Sequence, residues 1–256
     1  MNLKEYKVMI EKYLDKAMPP AVREPKILHE AMRYSVFSGG KRLRPAIVLL
    51  TGKIFSVSEK KLLPAACGIE LIHNFSLVHD DLPGMDNDDF RRGRPTCHKK
   101  FGEAIAILAG DALLTLGFEL IAKSGSPALI RDTAAAIGSE GMAGGQAMDV
   151  EFKDRKITDR LKKKIDGKKT GRLFELCFTA PLFFRKTRAD DREKIKKIAE
   201  NFGVAFQVRD DIEDEEGDAG HLKRRQAGLY RKMKKDIGHF GKRGRPLSDI
   251  IDNLFS

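Results

Sequence analysis

Asp80-Asp81-Leu82-Pro83-Gly84-Met85-Asp86-Asn87-Asp88-Asp89-Phe90-Arg91-Arg92 sets five aspartates within ten residues and follows them with two arginines. Apolar-patterned stretches flank it, 63–79 before and 105–122 after. Carboxylates this close repel one another, and each resists burial. Two readings fit: a solvated acidic loop with a basic edge, or a site where multivalent cations relieve the repulsion. Hard oxygen ligands in this number suit Mg²⁺, and Arg91-Arg92 would meet an anion such as diphosphate at the other end of the same ligand. Pro83-Gly84 cannot continue a regular helix, so the chain turns there and Asp86 is expected to fold back beside Asp80. Six residues of unbroken helix would instead set the two about 240° apart.

A second cluster, Asp210-Asp211-Ile212-Glu213-Asp214, follows the apolar run Phe202-Gly203-Val204-Ala205-Phe206. Asp210 and Asp214 are four apart and share one face of a helix, with Asp211 beside them. Two aspartate clusters, each leaving an apolar helix, favour the metal reading over the solvated loop. The expectation is carboxylates from two helices facing across one cavity, with several Mg²⁺ ions and a diphosphate between them.

The rest of the composition agrees with a helical protein. In 256 residues, 41% hydrophobic, Leu, Ile and Ala are plentiful and Trp is absent. That supports an all-α chain with one sizeable core, and no repeat or linker divides it, so a single domain over 1–256 is expected. Net charge is +11, with a pI near 9.5. Much of the excess is local. Residues 153–169 hold nine Lys or Arg against three Asp, and 223–245 hold ten against one. Neither run is interleaved with aromatics or matches a nucleic-acid module, so solvated helix faces are expected and no nucleic-acid partner. The excess would still steer polyanionic substrates inward. Cys67, Cys97 and Cys177 form no metal spacing, and no apolar leader opens the chain, which reads as reduced and cytoplasmic. The apolar stretch 105–122 contains Asp111 and Glu119, so a buried core helix is expected there rather than a membrane span.

Along the chain, 3–18 reads as a helix with Tyr6, Met9, Ile10 and Leu14 on one stripe, ended by Pro19-Pro20. A second helix covers 26–37. Ser38-Gly39-Gly40-Lys41-Arg42-Leu43-Arg44-Pro45 is a glycine turn with cations, which fits either a solvated connection or an anion cradle. Helices are expected over 46–55, over 63–79 with Pro64 in the first turn, from 104 to 122, over 128–149 despite its glycines, within 157–184, and over 192–214.

The stretch from Leu77-Val78-His79-Asp80-Asp81 through Arg91-Arg92-Gly93-Arg94-Pro95-Thr96-Cys97-His98 resembles the first aspartate-rich motif of trans-isoprenyl diphosphate synthases, with the four-residue spacer between Asp81 and Asp86 seen in bacterial and plant members. Phe206-Gln207-Val208-Arg209-Asp210-Asp211-Ile212-Glu213-Asp214 resembles the second. The similarity runs from about Tyr34 to Asp218 and, more weakly, to the end. It implies the isoprenoid synthase fold, a bundle of about ten or more helices around a central cavity. It also implies head-to-tail condensation of isopentenyl diphosphate with an allylic diphosphate, dimethylallyl or geranyl, and a homodimer. Asp80, Asp81, Asp86, Asp210, Asp211 and Asp214 would then hold Mg²⁺, three ions per active site in the family. Arg91, Lys169, Thr170 and Gln207 would meet the allylic diphosphate and the reacting centre. Gly40, Lys41, Arg44, His73 and Arg92 would hold the non-ionising diphosphate. Phe75, with Ser76 beside it, is similar to bacterial farnesyl diphosphate synthases, where bulk here limits product length. After about residue 218 the chain departs from the family pattern. Lys223 or Arg224 would stand for the family's first lysine there; the second, with its turn, has no counterpart, and Lys232, Lys234 or Lys235 are the candidates to substitute for it. A geranylgeranyl or geranyl diphosphate synthase, or an impaired paralogue serving as a partner subunit, are the alternative expectations.

Overall fold

The apolar run that leads into the first aspartates is a single helix, α4 (Glu59–Asp80), buried along most of its length. It begins earlier than its apolar pattern suggests, so Pro64 sits inside the helix and not in its first turn. The computed structural model describes residues 3–153, 155–213 and 218–255. Helix dominates throughout, and the chain divides into two compact units, each discontinuous in sequence.

The first unit comprises Met1–Ala46 and Lys60–Gly125. Around α4 lie α1 (Leu3–Ala17), α2 (Lys26–Val36), the first turn of α3 (Leu43–Ile54), α5 (Cys97–Phe101) and α6 (Glu103–Lys123). In α1 the stripe Tyr6, Ile10 and Leu14 is fully buried, as the fourfold spacing predicts. By length and composition α6 is apolar enough to cross a membrane. Here its Ala106, Ala109, Gly110, Leu113, Gly117, Leu120 and Ile121 side is buried in the core of this unit. Gly117 and Gly68 explain how closely α6 and α4 approach. A Cβ on Gly68 would lie 2.5 Å from the Gly117 carbonyl oxygen, so only glycine fits. The first unit also holds a two-residue-by-two-residue antiparallel hairpin, β1 (Phe90–Arg91) and β2 (Arg94–Pro95), which apolar periodicity gave no hint of.

The second unit comprises Ile47–Glu59 and Ser126–Ser256. Its elements are the remainder of α3, α7 (Pro127–Ile137), α8 (Met142–Phe152), α9 (Asp159–Asp166), α10 (Arg172–Thr179), α11 (Ala189–Glu213), α12 (Ala219–Gly238) and α13 (Arg245–Phe255). The stretch expected as one helix over 128–149 is two. Gly138 ends α7, and a Cβ on Gly141 would lie 2.0 Å from the Ala136 carbonyl oxygen, so the tight link needs glycine. A π-helical turn, Gly167–Gly171, joins α9 to α10. A phenylalanine cluster sits within the unit's largely aliphatic core: the Phe202 ring lies 5.0 Å from Phe174, 5.3 Å from Phe178 and 5.4 Å from Phe255, edge to face in each case. The Lys234 ammonium binds Asp252 at 2.7 Å and so ties α12 to α13.

Candidate active site

In the first unit α4 delivers Asp80 as its last residue. The Asp86 N–H then donates to the Asp80 carbonyl at 2.9 Å, so the Pro83-Gly84 turn does return Asp86 to the helix end. Asp80 is half-buried and Asp86 exposed, while Asp81 is 3% exposed. The hairpin explains how Asp81 tolerates burial. Its turn residues Arg92 and Gly93 have φ of 54° and 73°, the left-handed pair that a two-residue hairpin turn requires. This aims Arg91 back at the helix: Nε donates to Asp81 Oδ1 at 2.6 Å, and Nη2 lies 3.2 Å from Asp88. Burial raises the Asp81 carboxyl above the usual carboxylate range, and the hydrogen bond from Arg91 opposes that rise.

The glycine turn packs against the same hairpin. Gly39 and Gly40 have φ of 111° and 108°, which side chains rarely adopt. Arg92 Nη1 donates to the Gly39 carbonyl at 2.6 Å, and a Cβ on Gly40 would come within 2.8 Å of that nitrogen. Arg44 Nη1 lies 3.0 Å from His73 Nε2. Arginine only donates, so His73 accepts at Nε2 and is neutral with its proton on Nδ1. Burial and the Arg44 charge, with Arg92 and Arg91 adding to it, hold the His73 pKa well below its ordinary value. Lys41 is exposed. Gly40, Arg44, His73 and Arg92 are therefore gathered around one turn. Phe75 meets His79 edge to face at 4.8 Å, and His79 Nε2 lies 3.0 Å from the Ile107 carbonyl oxygen. The Ser76 hydroxyl donates back to the His73 carbonyl.

Arg42 was not singled out by sequence reasoning. It is 2% exposed at φ 53°, bonded to Glu70 at 3.0 Å, Glu11 at 3.3 Å and the Val36 carbonyl at 2.6 Å. Among three neighbouring cations only this one is internal, and nothing in the composition of the turn marks it.

In the second unit, α11 carries Gln207, Asp210 and Asp211 on its last turns. Gln207 Nε2 donates to Asp211 Oδ1 at 3.3 Å, and Lys162 lies 3.4 Å from the same oxygen. Asp214 falls outside the described residues. Lys169 and Thr170 sit in the π-helical turn, a local widening frequent at functional sites. Lys169 donates to Asp149 Oδ2 at 2.7 Å. A Cβ on Gly145 would lie 2.3 Å from the Lys169 nitrogen, so the glycines of α8 serve close packing against this turn. Burial pushes the Asp166 carboxyl up to about 6, against the pull of Lys162, with Asp211 and Asp149 adding to the rise. Asp149, Lys162 and Asp166 were likewise missed, because their significance lies in long-range neighbours and not in spacing.

The donor set suits a hard divalent cation. Every candidate ligand is a carboxylate oxygen, and Asp81 and Asp211 each already attract a cationic side chain. Among the described residues no three such groups converge as a ready coordination sphere. Asp80, Asp81 and Asp86 would hold Mg²⁺ in the first unit, and Asp210 and Asp211 in the second.

A family model described as polyprenyl synthetase matches residues 25–229. Farnesyl diphosphate synthase of Bacillus subtilis is 44% identical over 75% of this chain and 68% of its own length. The large subunit 1 of the chloroplastic heterodimeric geranylgeranyl pyrophosphate synthase of Arabidopsis thaliana is 41% identical over 80% of this chain, which spans 58% of that protein's length. Among solved structures, a geranyltransferase from Legionella pneumophila matches with a TM-score of 0.92 at 31% identity, covering 98% of this chain and 95% of that one. With the model spanning both aspartate motifs and relatives above two-fifths identity across three quarters of its residues, this chain belongs to the polyprenyl synthetase family.

Proposed function

We propose that this chain is a trans-prenyltransferase that joins isopentenyl diphosphate to dimethylallyl diphosphate, and then a second isopentenyl diphosphate to the geranyl diphosphate so formed, expelling one inorganic diphosphate and one proton at each condensation and ending at farnesyl diphosphate. The observation that carries the reading is the return of the Asp86 backbone to the helix end that carries Asp80, beside the buried Asp81–Arg91 pair. Mg²⁺, when bound, would neutralise the negative charge that gathers on the departing diphosphate. Arg91 and Lys169 would hold that diphosphate from the side of the protein. Arg44, Arg92 and Lys41 would hold the other diphosphate through oxygen contacts, and neutral His73 would keep Arg44 aimed. Gln207 and Thr170 would line the reacting centre. No side chain is an evident base, so the proton lost after attack is assigned to the released diphosphate. Breaking the allylic C–O bond would leave an allylic cation for the isopentenyl double bond to attack, and exclusion of water would protect that cation until then.

Fifteen carbons is the length that Phe75 supports. Its ring is braced by His79, whose imidazole leaves no room for a Cβ on Gly110. The plant relative favours a second reading, a twenty-carbon product. Assembly as a homodimer is supported by α6, whose Ile107 and Leu108 are 44% and 52% exposed.

The test is turnover with Mg²⁺, isopentenyl diphosphate and each primer in turn, with product length read directly. A fifteen-carbon product, abolished in Asp80→Ala and in Asp210→Ala, is expected. A twenty-carbon product keeps the reaction and removes the role given to Phe75. Absence of product from folded protein that still binds diphosphate points to the impaired-paralogue alternative.

A further inference from the structure

Away from the aspartates, the first unit carries an open groove of about 420 Å³, within the range of roughly 300–1,000 Å³ that small-ligand sites occupy. Three aromatic rings form its apolar part: Tyr34 of α2, Phe37 at the end of α2, and Phe101 of α5. Tyr34 and Phe101 meet edge to face at 5.4 Å. Three cations lie along these rings. Arg94 is 4.8 Å and Lys100 is 4.0 Å from the Tyr34 centroid, and Arg33 is 5.1 Å from that of Phe37.

The charge is not balanced locally. Arg33 pairs with Asp15, and Lys99, next to Lys100, pairs with Asp89. Among the described residues neither Arg94 nor Lys100 has a carboxylate partner, and the one acid lining the groove is Glu30. Two unneutralised cations beside an aromatic floor select a ligand with an anionic head and an apolar body. A planar base would have to displace a cation from a ring in order to stack. A flexible hydrocarbon chain has no such requirement, since it can lie along ring edges.

We propose that this groove is a second binding site for a prenyl diphosphate, with its head on Arg94 and Lys100 and its chain along Tyr34, Phe37 and Phe101. The ligand class rests on the prenyltransferase reading above. The groove shares an element with the aspartates. Tyr34 donates its hydroxyl to the Pro95 carbonyl at 2.8 Å, and Arg94 pairs across the hairpin with Arg91, the partner of Asp81. A ligand in the groove therefore holds the hairpin from its outer side.

The test is calorimetric titration of the full chain with farnesyl diphosphate in Mg²⁺, without isopentenyl diphosphate, alongside turnover of the same preparation. Two sites per chain are expected in the unsubstituted protein. In Arg94→Ala/Lys100→Ala, both changes being at exposed positions, one site should weaken by about tenfold or more, as loss of charge-assisted bonds predicts. Phe101→Ala should weaken the same site. Inorganic diphosphate and farnesol, each lacking half of the recognised features, should both fail to fill it. One site per chain in an active preparation overturns the groove and leaves the prenyltransferase reading intact. No turnover overturns that reading instead. Phosphatidylglycerol vesicles are the remaining arm. If the double variant loses vesicle binding while two soluble sites persist, the face contacts a membrane and the proposal is overturned.

Discussion

Arg42 and His73 show how much a single position depends on what surrounds it. Arg42 is buried against Glu70, and removing one partner leaves the other charge uncompensated. Arg42→Ala is expected to destabilise the protein by about 3–5 kcal/mol in urea unfolding. Arg42→Met combined with Glu70→Leu should recover most of that loss, because an apolar pair of similar volume needs no compensation. His73 makes a prediction about pH. Its folded pKa lies below its ordinary 6.5, so in acid the unfolded chain binds the extra proton first. Stability contributed at this site is complete above about pH 6.5 and declines as pH falls below it. His73→Gln, which can still accept from Arg44, should flatten the fall in urea midpoint between about pH 7 and about pH 5. An unchanged slope would show that His73 titrates normally. Neither residue's state was legible in the sequence. Lys41, Arg42 and Arg44 look alike in the chain, and only burial separates the structural arginine from its neighbours.

At the scale of elements, glycine positions mark where backbone must approach backbone. Gly145→Ala would drive a methyl into the Lys169 backbone. The expected outcome is a loss of about 1–3 kcal/mol in unfolding free energy, the usual cost of overpacking. Turnover should fall further than stability, since Lys169 sits on the displaced turn. If Gly145→Ala lowers the melting temperature but leaves kcat/KM unchanged, the π-helical turn does not position Lys169. Helix existence was well predicted by apolar spacing, as in α1, α2, α6 and α11. The turn after Asp80 was also legible, because Pro83-Gly84 admits no helix. The break between α7 and α8 was not, since glycines weaken a helix without saying which of them ends it. The hairpin escaped for a different reason: two-residue strands are too short to show alternation.

For the whole molecule the governing quantity is charge. With a net +11, the chain should attract diphosphate substrates over long range. Their kcat/KM is expected to fall severalfold between about 10 and about 150 mM salt, as the screening length contracts from about 30 to about 8 Å. A rate constant indifferent to salt would assign the charge to solvated faces alone. The family follows from the sequence by itself, because two aspartate motifs in fixed order need only local spacing to be read. Helical class, the reversal at Pro83-Gly84 and the chemistry of the candidate ligands follow for the same reason. The tertiary structure decided which charges are paired: Arg91 with Asp81, Lys169 with Asp149, Lys162 with Asp211, and Arg42 with Glu70. It also decided that Arg94 and Lys100 share one aromatic ring. The paired charges lie from 10 to 49 residues apart along the chain, with no periodicity to announce them. Spacing along a chain fixes the local conformation, whereas the field at each charged group is set by whatever packing brings beside it.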